Sequence, residues 1–320
     1  MVTTLDDIDF SIYLKETDNQ VKVKKASSYA ESLKARLRAK KQDNFAKLPW
    51  TKTHDSFEFR KGEVTLWGGQ NGHGKSQIVS QIVLSLIGQE EKVVIASFEM
   101  KPVITMQRLA RMWIGMNPFS PEFQGNKGIA ALDDMYDQFC EWTDGKLWLY
   151  DQMGTAEADN VIGMARYAAK ELHVTHIVID NLAKCIDFED DYNGQKTFVN
   201  ELTSIARDYN VHVHLVHHLK KPANENALPD KHDMKGSGSI TDQVDNVMLV
   251  WRNKAKEEAV KGSFAKPDEP DQRIYCRKQR NYEGSGEGEP TIRLWFHRDS
   301  QQYVSEERSG PMVFYRFPHE

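Results

Sequence analysis

The strongest constraint on the fold of this chain is a glycine-rich segment at residues 69–76, which reads GQNGHGKS. It fits the pattern of a phosphate-binding loop, because glycines let successive backbone N–H groups turn inward around a polyphosphate. In this pattern Lys75 reaches the β- and γ-phosphates, and the Ser76 hydroxyl is a ligand of Mg²⁺. The segment therefore predicts a site for ATP, or another nucleoside triphosphate, with Mg²⁺. The residues expected at this site are Gly69, Asn71, Gly72, His73, Gly74, Lys75, Ser76 and Gln77.

The residues on either side of this loop have the strand–loop–helix order that such a site requires. Residues 63–67 read as a strand, and apolar residues recur at helical spacing from Ile78 to Leu86. The N-terminal end of that helix would point toward the bound phosphates. A chance match in a glycine-rich turn would lack this context, so the flanking residues favour nucleotide binding.

Short apolar strands alternate with helices from residue 63 onward, which predicts an α/β fold with a mostly parallel central sheet. Residues 176–180 form an almost continuous apolar run, as in a parallel strand that is covered on both faces. Three later apolar segments, at residues 247–251, 273–277 and 292–296, follow without long helices between them. We expect these three to extend the sheet as antiparallel strands. Further strands are predicted at residues 92–97, 147–150 and 211–216, and helices at about residues 104–113, 156–172 and 198–205.

The N-terminal part differs in charge from the rest of the chain. The first twenty residues are acidic and lack periodicity, which predicts a mobile tail. Residues 22–47 are basic, and Tyr29, Leu33 and Leu37 fall four apart, which predicts a basic amphipathic helix at residues 30–41. The pattern leaves open whether this helix packs on another subunit or caps its own domain. The expected domains are an N-terminal region, residues 1–50, and an ATPase domain, residues 51–320.

Charge and cysteine content limit the class of protein. The net charge is −5 and the isoelectric point about 6.1, whereas proteins that coat themselves with nucleic acid are usually basic. Any nucleic-acid site must therefore be local. The three cysteines include no Cys-x-x-Cys pair, which favours reduced thiols in a cytoplasmic protein. No apolar run approaches the roughly 18 residues of a membrane span, so we expect no membrane partner.

Two carboxylates stand at the ends of predicted strands. Asp180 lies at the edge where open α/β sheets bind ligands, and it is the expected partner of the Mg²⁺ held by Ser76. The alternative is an aspartate that caps a turn. Glu99 follows the strand at residues 92–97 and is a candidate for the carboxylate that orients the attacking water in ATP hydrolysis. A solvated loop glutamate is equally compatible with the pattern.

Histidines and a long polar loop follow at residues 212–246. We interpret His212 and His214 as one face of a strand rather than as zinc ligands, because they alternate with apolar residues. His218 lies beside the expected γ-phosphate and could sense the nucleotide. The loop suits the phosphates of a nucleic acid, although a solvated lid is the alternative. Its candidate DNA-binding residues are Lys220, Lys221, Lys235, Gly236, Ser237 and Gly238.

A second basic element follows the strand predicted at residues 273–277. Arg280, with Lys278 nearby, is a candidate arginine finger, a residue that stabilises charge on a transferring phosphoryl group and is often supplied by a neighbouring subunit. The alternative is a basic strand end on the surface.

In this order the motifs resemble those of the DnaB-like ring-shaped replicative DNA helicases of superfamily 4, above all the helicase half of phage primase-helicases and of Twinkle. The resemblance spans about residues 30–305. It rests on the ordered set of the loop ending at Ser76, SFEM with Glu99, IVID with Asp180, LVHHLKKP with His218, KGSGS from Lys235, and KQRN with Arg280.

The resemblance implies a role for each motif. Glu99 would be the catalytic base, Asp180 the Mg²⁺ carboxylate and His218 the γ-phosphate sensor. Arg280, with Lys278, would reach into the neighbouring subunit's site. Three further roles are implied by position. Arg252 and Phe296 would sandwich the nucleotide base, and the loops from Lys220 and Lys235 would line a central channel for single-stranded DNA. The helix from Ala30 would dock on the next subunit.

The expected function is that of an ATP-dependent replicative DNA helicase with a RecA-like core. It would form a homo-oligomeric ring, expected to be a hexamer, translocate on single-stranded DNA and unwind forked duplexes in the cytoplasm of a bacterial or phage-infected cell. No primase domain precedes residue 30, so we expect a separate primase and other replisome proteins as partners. The alternatives are a RecA- or KaiC-like ATPase that does not unwind DNA, and a non-catalytic module that uses ATP only for assembly.

Overall fold

The computed structural model describes residues 9–14, 25–38, 45–186, 191–220, 228–235, 238–261, 268–281 and 291–314. Within them the helices are α1 (Ser11–Leu14), α2 (Ala30–Arg38), α3 (Lys75–Gly88), α4 (Pro102–Ile114), α5 (Gly125–Thr143), α6 (Ala158–Lys170), α7 (Tyr192–Tyr209), α8 (Ser239–Gln243) and α9 (Lys254–Lys261). The strands are β1 (Ala46–Lys47), β2 (Glu58–Phe59), β3 (Val64–Gly69), β4 (Val93–Ser97), β5 (Leu147–Tyr150), β6 (His176–Asp180), β7 (His212–His218), β8 (Asn246–Arg252), β9 (Gln272–Gln279), β10 (Thr291–His297) and β11 (Gln302–Val304).

One large sheet forms the centre of the fold, with the strand order β11-β10-β9-β8-β3-β7-β6-β4-β5. The strands from β8 to β5 run parallel, and β9, β10 and β11 continue the sheet antiparallel. The predicted α/β fold, with a mostly parallel sheet and antiparallel C-terminal strands, is confirmed. Because β3 lies between β7 and β8, the glycine-rich loop leaves from the middle of the carboxyl edge, where open α/β sheets bind ligands.

The predicted direction of residues 247–251 is wrong, since β8 runs parallel to β3. The connection from β7 recrosses the sheet before β8 begins. Ile240 of α8 and Val244, which follows α8, are buried within this connection. A parallel neighbour needs such a crossover. The short helix was hidden in a polar segment, because two apolar residues carry too little periodicity to predict a helix.

Both faces of the sheet are covered by helices. Residues of α3, α4 and α5 pack on one face around Trp67, and α6, α7 and α8 pack on the other around Leu66. Both side chains are fully buried, which stabilises the fold by about 1.5–3 kcal/mol for a side chain such as Leu66. The helix α5, which lies between β4 and β5 in sequence, was not predicted.

The N-terminal residues contribute to the packing. The ring of Phe10 lies 6.0 Å from Tyr150 and 5.8 Å from Tyr167, measured between ring centroids. The prediction of a mobile tail is therefore wrong for residues 9–14. Leu48 and Trp50 are buried in the core, so the described packing begins before residue 51. The division into two domains stays a prediction, and the end of the helix predicted at residues 30–41 lies outside the described residues.

Candidate active site

The glycine-rich loop has the backbone geometry that its sequence predicts. It connects β3, which ends at Gly69, to α3, which begins at Lys75. Gly72 and Gly74 have φ angles of 76° and 80°, in the left-handed region that side chains with a Cβ disfavour. A Cβ on Gly74 would also meet the Tyr303 hydroxyl at 2.8 Å. Glycine is therefore required at this position for two independent reasons.

Lys75 is held inside the loop. Its Nζ donates to the carbonyl oxygens of Gly69 at 2.9 Å and Gln70 at 3.0 Å, and lies 3.1 Å from Nδ1 of His218. Burial lowers the pKa of Lys75 to about 8, and the nearby carboxylates of Asp180 and Glu99 oppose this shift. The ammonium group is thus placed where the loop would surround a phosphate.

Asp180 and Ser76 come together below the loop. Asp180 ends β6 and is 6% exposed. Burial raises the pKa of its carboxyl group, while a hydrogen bond from the Ser76 hydroxyl acts in the opposite direction. A hydroxyl and a carboxylate are hard oxygen donors, and Mg²⁺ is usually bound by one or two such groups together with phosphate oxygens. The pair fits the predicted Mg²⁺ site.

Asn181, which sequence analysis missed, contacts both Glu99 and His218. The amide nitrogen of Asn181 donates to Oε1 of Glu99 at 2.6 Å and lies 3.0 Å from Nε2 of His218. Nε2 of His218 is 3.8 Å from Oε1 of Glu99. Its position in the sequence could have indicated a place in the site, because Asn181 directly follows Asp180 at the carboxyl edge of the sheet.

These side chains line a cavity of about 1120 Å³, and Arg108 is a further cation in its wall. Arg108 lies on α4, the helix that follows Glu99. Burial lowers the pKa of its guanidinium group, and the carboxylate of Asp180 opposes the shift. The cavity therefore contains Lys75 and Arg108 as cations facing Asp180 and Glu99.

The other end of the cavity contains the residues proposed to hold the nucleotide base. Arg252 donates through Nη1 to the carbonyl of Gly72 at 3.2 Å, and Phe296 is 37% exposed. Both line the cavity, as do Asn71, Gly74 and Gln77, whereas Gly69 and His73 do not. The side chain of His73 is buried, and its Nδ1 accepts from the backbone N–H of Arg252 at 3.3 Å, so its part in nucleotide binding stays a prediction.

The two described ends of the polar loop are attached to β7. The backbone N–H of Lys220 donates to the carbonyl of Asp233 at 2.7 Å, and that of Lys235 donates to the carbonyl of His218 at 3.0 Å. Of the predicted DNA-binding lysines, Lys220 follows His218 by two residues and Lys235 is bonded to it, and His218 lines the cavity. Gly238 precedes α8. Lys221, Gly236 and Ser237 lie outside the described residues.

Lys278 and Arg280 lie far from this cavity. In the pairing of β8 with β9, Arg252 is opposite Gln272, whereas Asn246 is opposite Gln279. Lys278 and Arg280 are therefore at the amino edge of the parallel strands, roughly 20 Å from the cavity along the strand.

Their side chains bind groups of their own chain. Arg280 contacts Asp245 at 2.9 Å, and Nζ of Lys278 donates to three backbone carbonyls between residues 241 and 244.

The histidines of β7 are part of the core. His212 lies 2.8 Å from the Thr65 hydroxyl, and His214 lies 3.0 Å from His176 and accepts from Trp67. Across the described residues, no group of three histidine, cysteine or acidic side chains is arranged to hold a metal. In that same part of the chain, no helix is long and apolar enough to cross a membrane.

Comparison with known proteins identifies relatives of this arrangement. The family model for the DnaB-like helicase C terminal domain matches residues 55–305. The protein described as Replicative DNA helicase DnaB of Treponema pallidum (strain Nichols) is 24% identical over 207 residues, which cover 62% of this chain and 46% of that protein. The chain thus spans less than half the length of this relative.

Two solved structures share the fold. One, described as an ATPase domain, aligns with a TM-score of 0.71 at 14% identity, over 88% of this chain and 99% of that one. The other, described as the structure of a DnaB-like replicative helicase and its interactions with primase, aligns with a TM-score of 0.69 at 13% identity, over 88% of this chain and 68% of that one. These likenesses confirm the predicted RecA-like core.

Proposed function

The chain belongs to the family of DnaB-like helicase C-terminal domains, and on that premise we propose that it is the ATP-driven motor of a replicative DNA helicase. The observation that carries the proposal is a single cavity that collects Lys75, Asp180, Glu99 and His218. The loop proposed to bind DNA is attached to His218 itself, through the N–H of Lys235. His218 would therefore contact both the bound nucleotide and the loop that binds DNA.

The proposed reaction is the hydrolysis of ATP to ADP and phosphate. The oxygen of a water molecule forms a bond to the γ-phosphorus, the bond to the ADP oxygen breaks, and Glu99 accepts the proton of the water. Lys75 and Arg108 face the charge that develops on the phosphate oxygens. Mg²⁺ held through Ser76 and Asp180 would supply further positive charge to those oxygens.

The position of Arg280 supports an assembly in which subunits complete each other's sites. Arg280 and Lys278 lie roughly 20 Å from the cavity of their own chain, so a catalytic role would require a neighbouring subunit. A head-to-tail contact would place the amino edge of one subunit's sheet, with Arg280, against the next subunit's cavity. Repeated contacts of this kind form a ring when the rotation between neighbouring subunits closes. We propose a hexameric ring with single-stranded DNA in its centre.

The remaining partners follow from the same proposal. The lysines at the ends of the 220–235 loop would contact DNA phosphates in the ring. A primase would act with the ring as a separate protein, and one structural neighbour is described together with primase. The site of action would be the cytoplasm of a bacterial or phage-infected cell.

The test is a comparison of phosphate release with and without single-stranded DNA, followed by strand displacement on a forked duplex with ATP and Mg²⁺. A motor of this kind is expected to hydrolyse ATP faster with DNA and to displace the strand. Hydrolysis without displacement would instead favour a RecA- or KaiC-like ATPase, and binding without hydrolysis would favour an assembly module. Electron microscopy with nucleotide and DNA would establish the ring.

A further inference from the structure

The buried amide of Asn181 connects two side chains that the proposed reaction uses. Its nitrogen donates to Oε1 of Glu99 at 2.6 Å and faces Nε2 of His218 at 3.0 Å. An amide nitrogen carries two hydrogens, so it can donate to both groups at once. The residue is 1% exposed, and packing therefore fixes the position from which it does so.

The other nitrogen of His218 faces a second donor, the ammonium group of Lys75, at 3.1 Å. A neutral imidazole has one N–H and one acceptor nitrogen. The groups on both sides of His218, Lys75 and Asn181, are donors, and the ring can accept from only one of them. The chain from Lys75 through His218 and Asn181 to Glu99 thus contains one donor too many.

This mismatch disappears when Lys75 turns toward a phosphate. His218 can then carry its hydrogen on Nδ1 and leave Nε2 as the acceptor for Asn181. Both contacts of the Asn181 nitrogen then pair a donor with an acceptor, and the Nδ1–H of His218 can point into the cavity that it lines. The hydrogen bond between Asn181 and His218 therefore depends on the direction of the Lys75 side chain.

The backbone of His218 is bonded to the loop that is proposed to bind DNA. Its carbonyl accepts from the N–H of Lys235 at 3.0 Å, and Leu219 pairs with Met234 across the base of the loop. A shift of Lys235 on binding DNA would therefore move the backbone of His218, and the ring with it.

We propose that Asn181 is a positioning residue that couples the orientation of Glu99 to His218, and so to the bound phosphate and the DNA-binding loop. Asn181 holds Oε1 of Glu99, which leaves Oε2 to accept from the attacking water. The proposal rests on the proposed function, because it concerns the rate of ATP hydrolysis and its stimulation by DNA.

The experiment measures kcat and KM for ATP with and without single-stranded DNA in wild type and in Asn181→Ala. A displaced base costs about 10- to 100-fold in rate, so we expect kcat with DNA to fall by about that factor while KM changes less than about threefold. The stimulation by DNA should fall to nearly one. The matched control is Ser97→Ala, a buried polar residue opposite Asp180 in the β4–β6 pair, which should keep the wild-type stimulation.

A double-mutant cycle with His218→Ala separates coupling from local damage. Residues of one hydrogen-bonded chain are non-additive, so kcat with DNA should fall in the double variant by no more than it falls in the more impaired single variant. Additive losses, or wild-type stimulation in Asn181→Ala, would overturn the coupling.

If Asn181→Ala does not fold, Asn181→Leu replaces it, because leucine has a similar size but neither donates nor accepts a hydrogen bond, and the same loss of stimulation is expected. Wild-type stimulation in this variant would also overturn the coupling. A wild-type protein without ATPase activity would instead overturn the proposed function, and the coupling with it.

Discussion

The backbone N–H of Lys235 donates to the carbonyl of His218 at 3.0 Å, which attaches one end of the polar loop to a residue of the nucleotide cavity. The backbone N–H of Lys220, two residues after His218, donates to the carbonyl of Asp233 and so joins the two ends of the loop to each other. The backbone of Lys235 is therefore bonded directly to a residue of the site proposed to hydrolyse ATP.

Affinity for single-stranded DNA should depend steeply on salt, although the protein is acidic. Replacing Lys220, Lys221 and Lys235 with alanine should flatten the plot of log K against log salt, because each lost phosphate contact changes the slope by about 0.7. Titrations at several salt concentrations measure it. Lys127→Ala, on the exposed surface of α5, is the control and should keep the slope. An unchanged slope in the triple variant would place the DNA site elsewhere.

Glu99→Gln should keep ATP binding and lose turnover by about 10²- to 10⁴-fold, because glutamine matches the size of glutamate but cannot accept a proton from water. Its amide oxygen can still accept from Asn181, so the site should remain assembled. Phosphate release and nucleotide affinity are the two measurements. Glu90→Gln is the matched control, since Glu90 is an exposed glutamate paired with Lys146. Turnover within about threefold of wild type would assign the base to another residue, because the expected loss is far larger.

Stability should fall in mild acid because of the histidines in the core. Burial lowers the pKa of His212 to about 4, and burial also lowers the pKa of His176 and His214 beside it. The folded state keeps His212 neutral, whereas the unfolded chain takes up a proton below its ordinary pKa of 6.5. The stability from this group is therefore complete above about pH 6.5 and is lost as the pH falls toward 4.

The free energy of unfolding should fall by about 1.4 kcal/mol per pH unit for one such histidine, or by about 2 kcal/mol between pH 6.5 and pH 5. Urea unfolding at pH 7.5, 6 and 5 measures it. His212→Gln should reduce the fall by about that amount, while His232→Gln, whose side chain is 82% exposed, should not. Equal falls in wild type and His212→Gln would contradict the assignment.

Sequence analysis predicted the features that depend on local pattern. Three such features predicted the fold, because each is formed by consecutive residues. They are the glycine-rich loop, the apolar strand ending at Asp180, and the alternation of strands with helices. The direction of β8 could not be predicted in this way, because it depends on a connection whose helix α8 has only five residues. Direction along a sheet is a long-range property that such a segment does not encode.

In the candidate site too, the residues with a local sequence pattern were predicted, and the residue whose role depends on long-range contacts was missed. Lys75 and Ser76 were predicted from the glycine-rich loop, and Glu99 and Asp180 were predicted because they stand at the ends of strands. Asn181 was missed, because an amide has no distinctive pattern and its importance lies in reaching Glu99 and His218, which are 82 and 37 residues away in sequence. The roles of all these residues stay predictions until variants are measured.

Arg280, at the amino edge of the sheet, should act on the cavity of a neighbouring subunit. An Arg280→Ala subunit would lack the residue offered to its neighbour but keep its own cavity, and a Lys75→Ala subunit would have the reverse defect. Each variant alone should be nearly inactive, because an arginine finger is commonly worth about 10³- to 10⁵-fold in rate. Mixed under conditions in which subunits exchange, some interfaces would pair an intact Arg280 with an intact Lys75 and recover hydrolysis.

The matched control for this experiment is Arg207→Ala, because Arg207 approaches the same carboxylate, Asp245, at 3.8 Å and is largely exposed. It removes a neighbouring positive charge from Asp245 but should leave hydrolysis intact. Phosphate release from the two single variants, from their mixture and from the control measures the outcome. Since the structure places Arg280 roughly 20 Å from its own cavity, a mixture with no more activity than its components would mean that Arg280 holds Asp245 in its own subunit and has no part in catalysis.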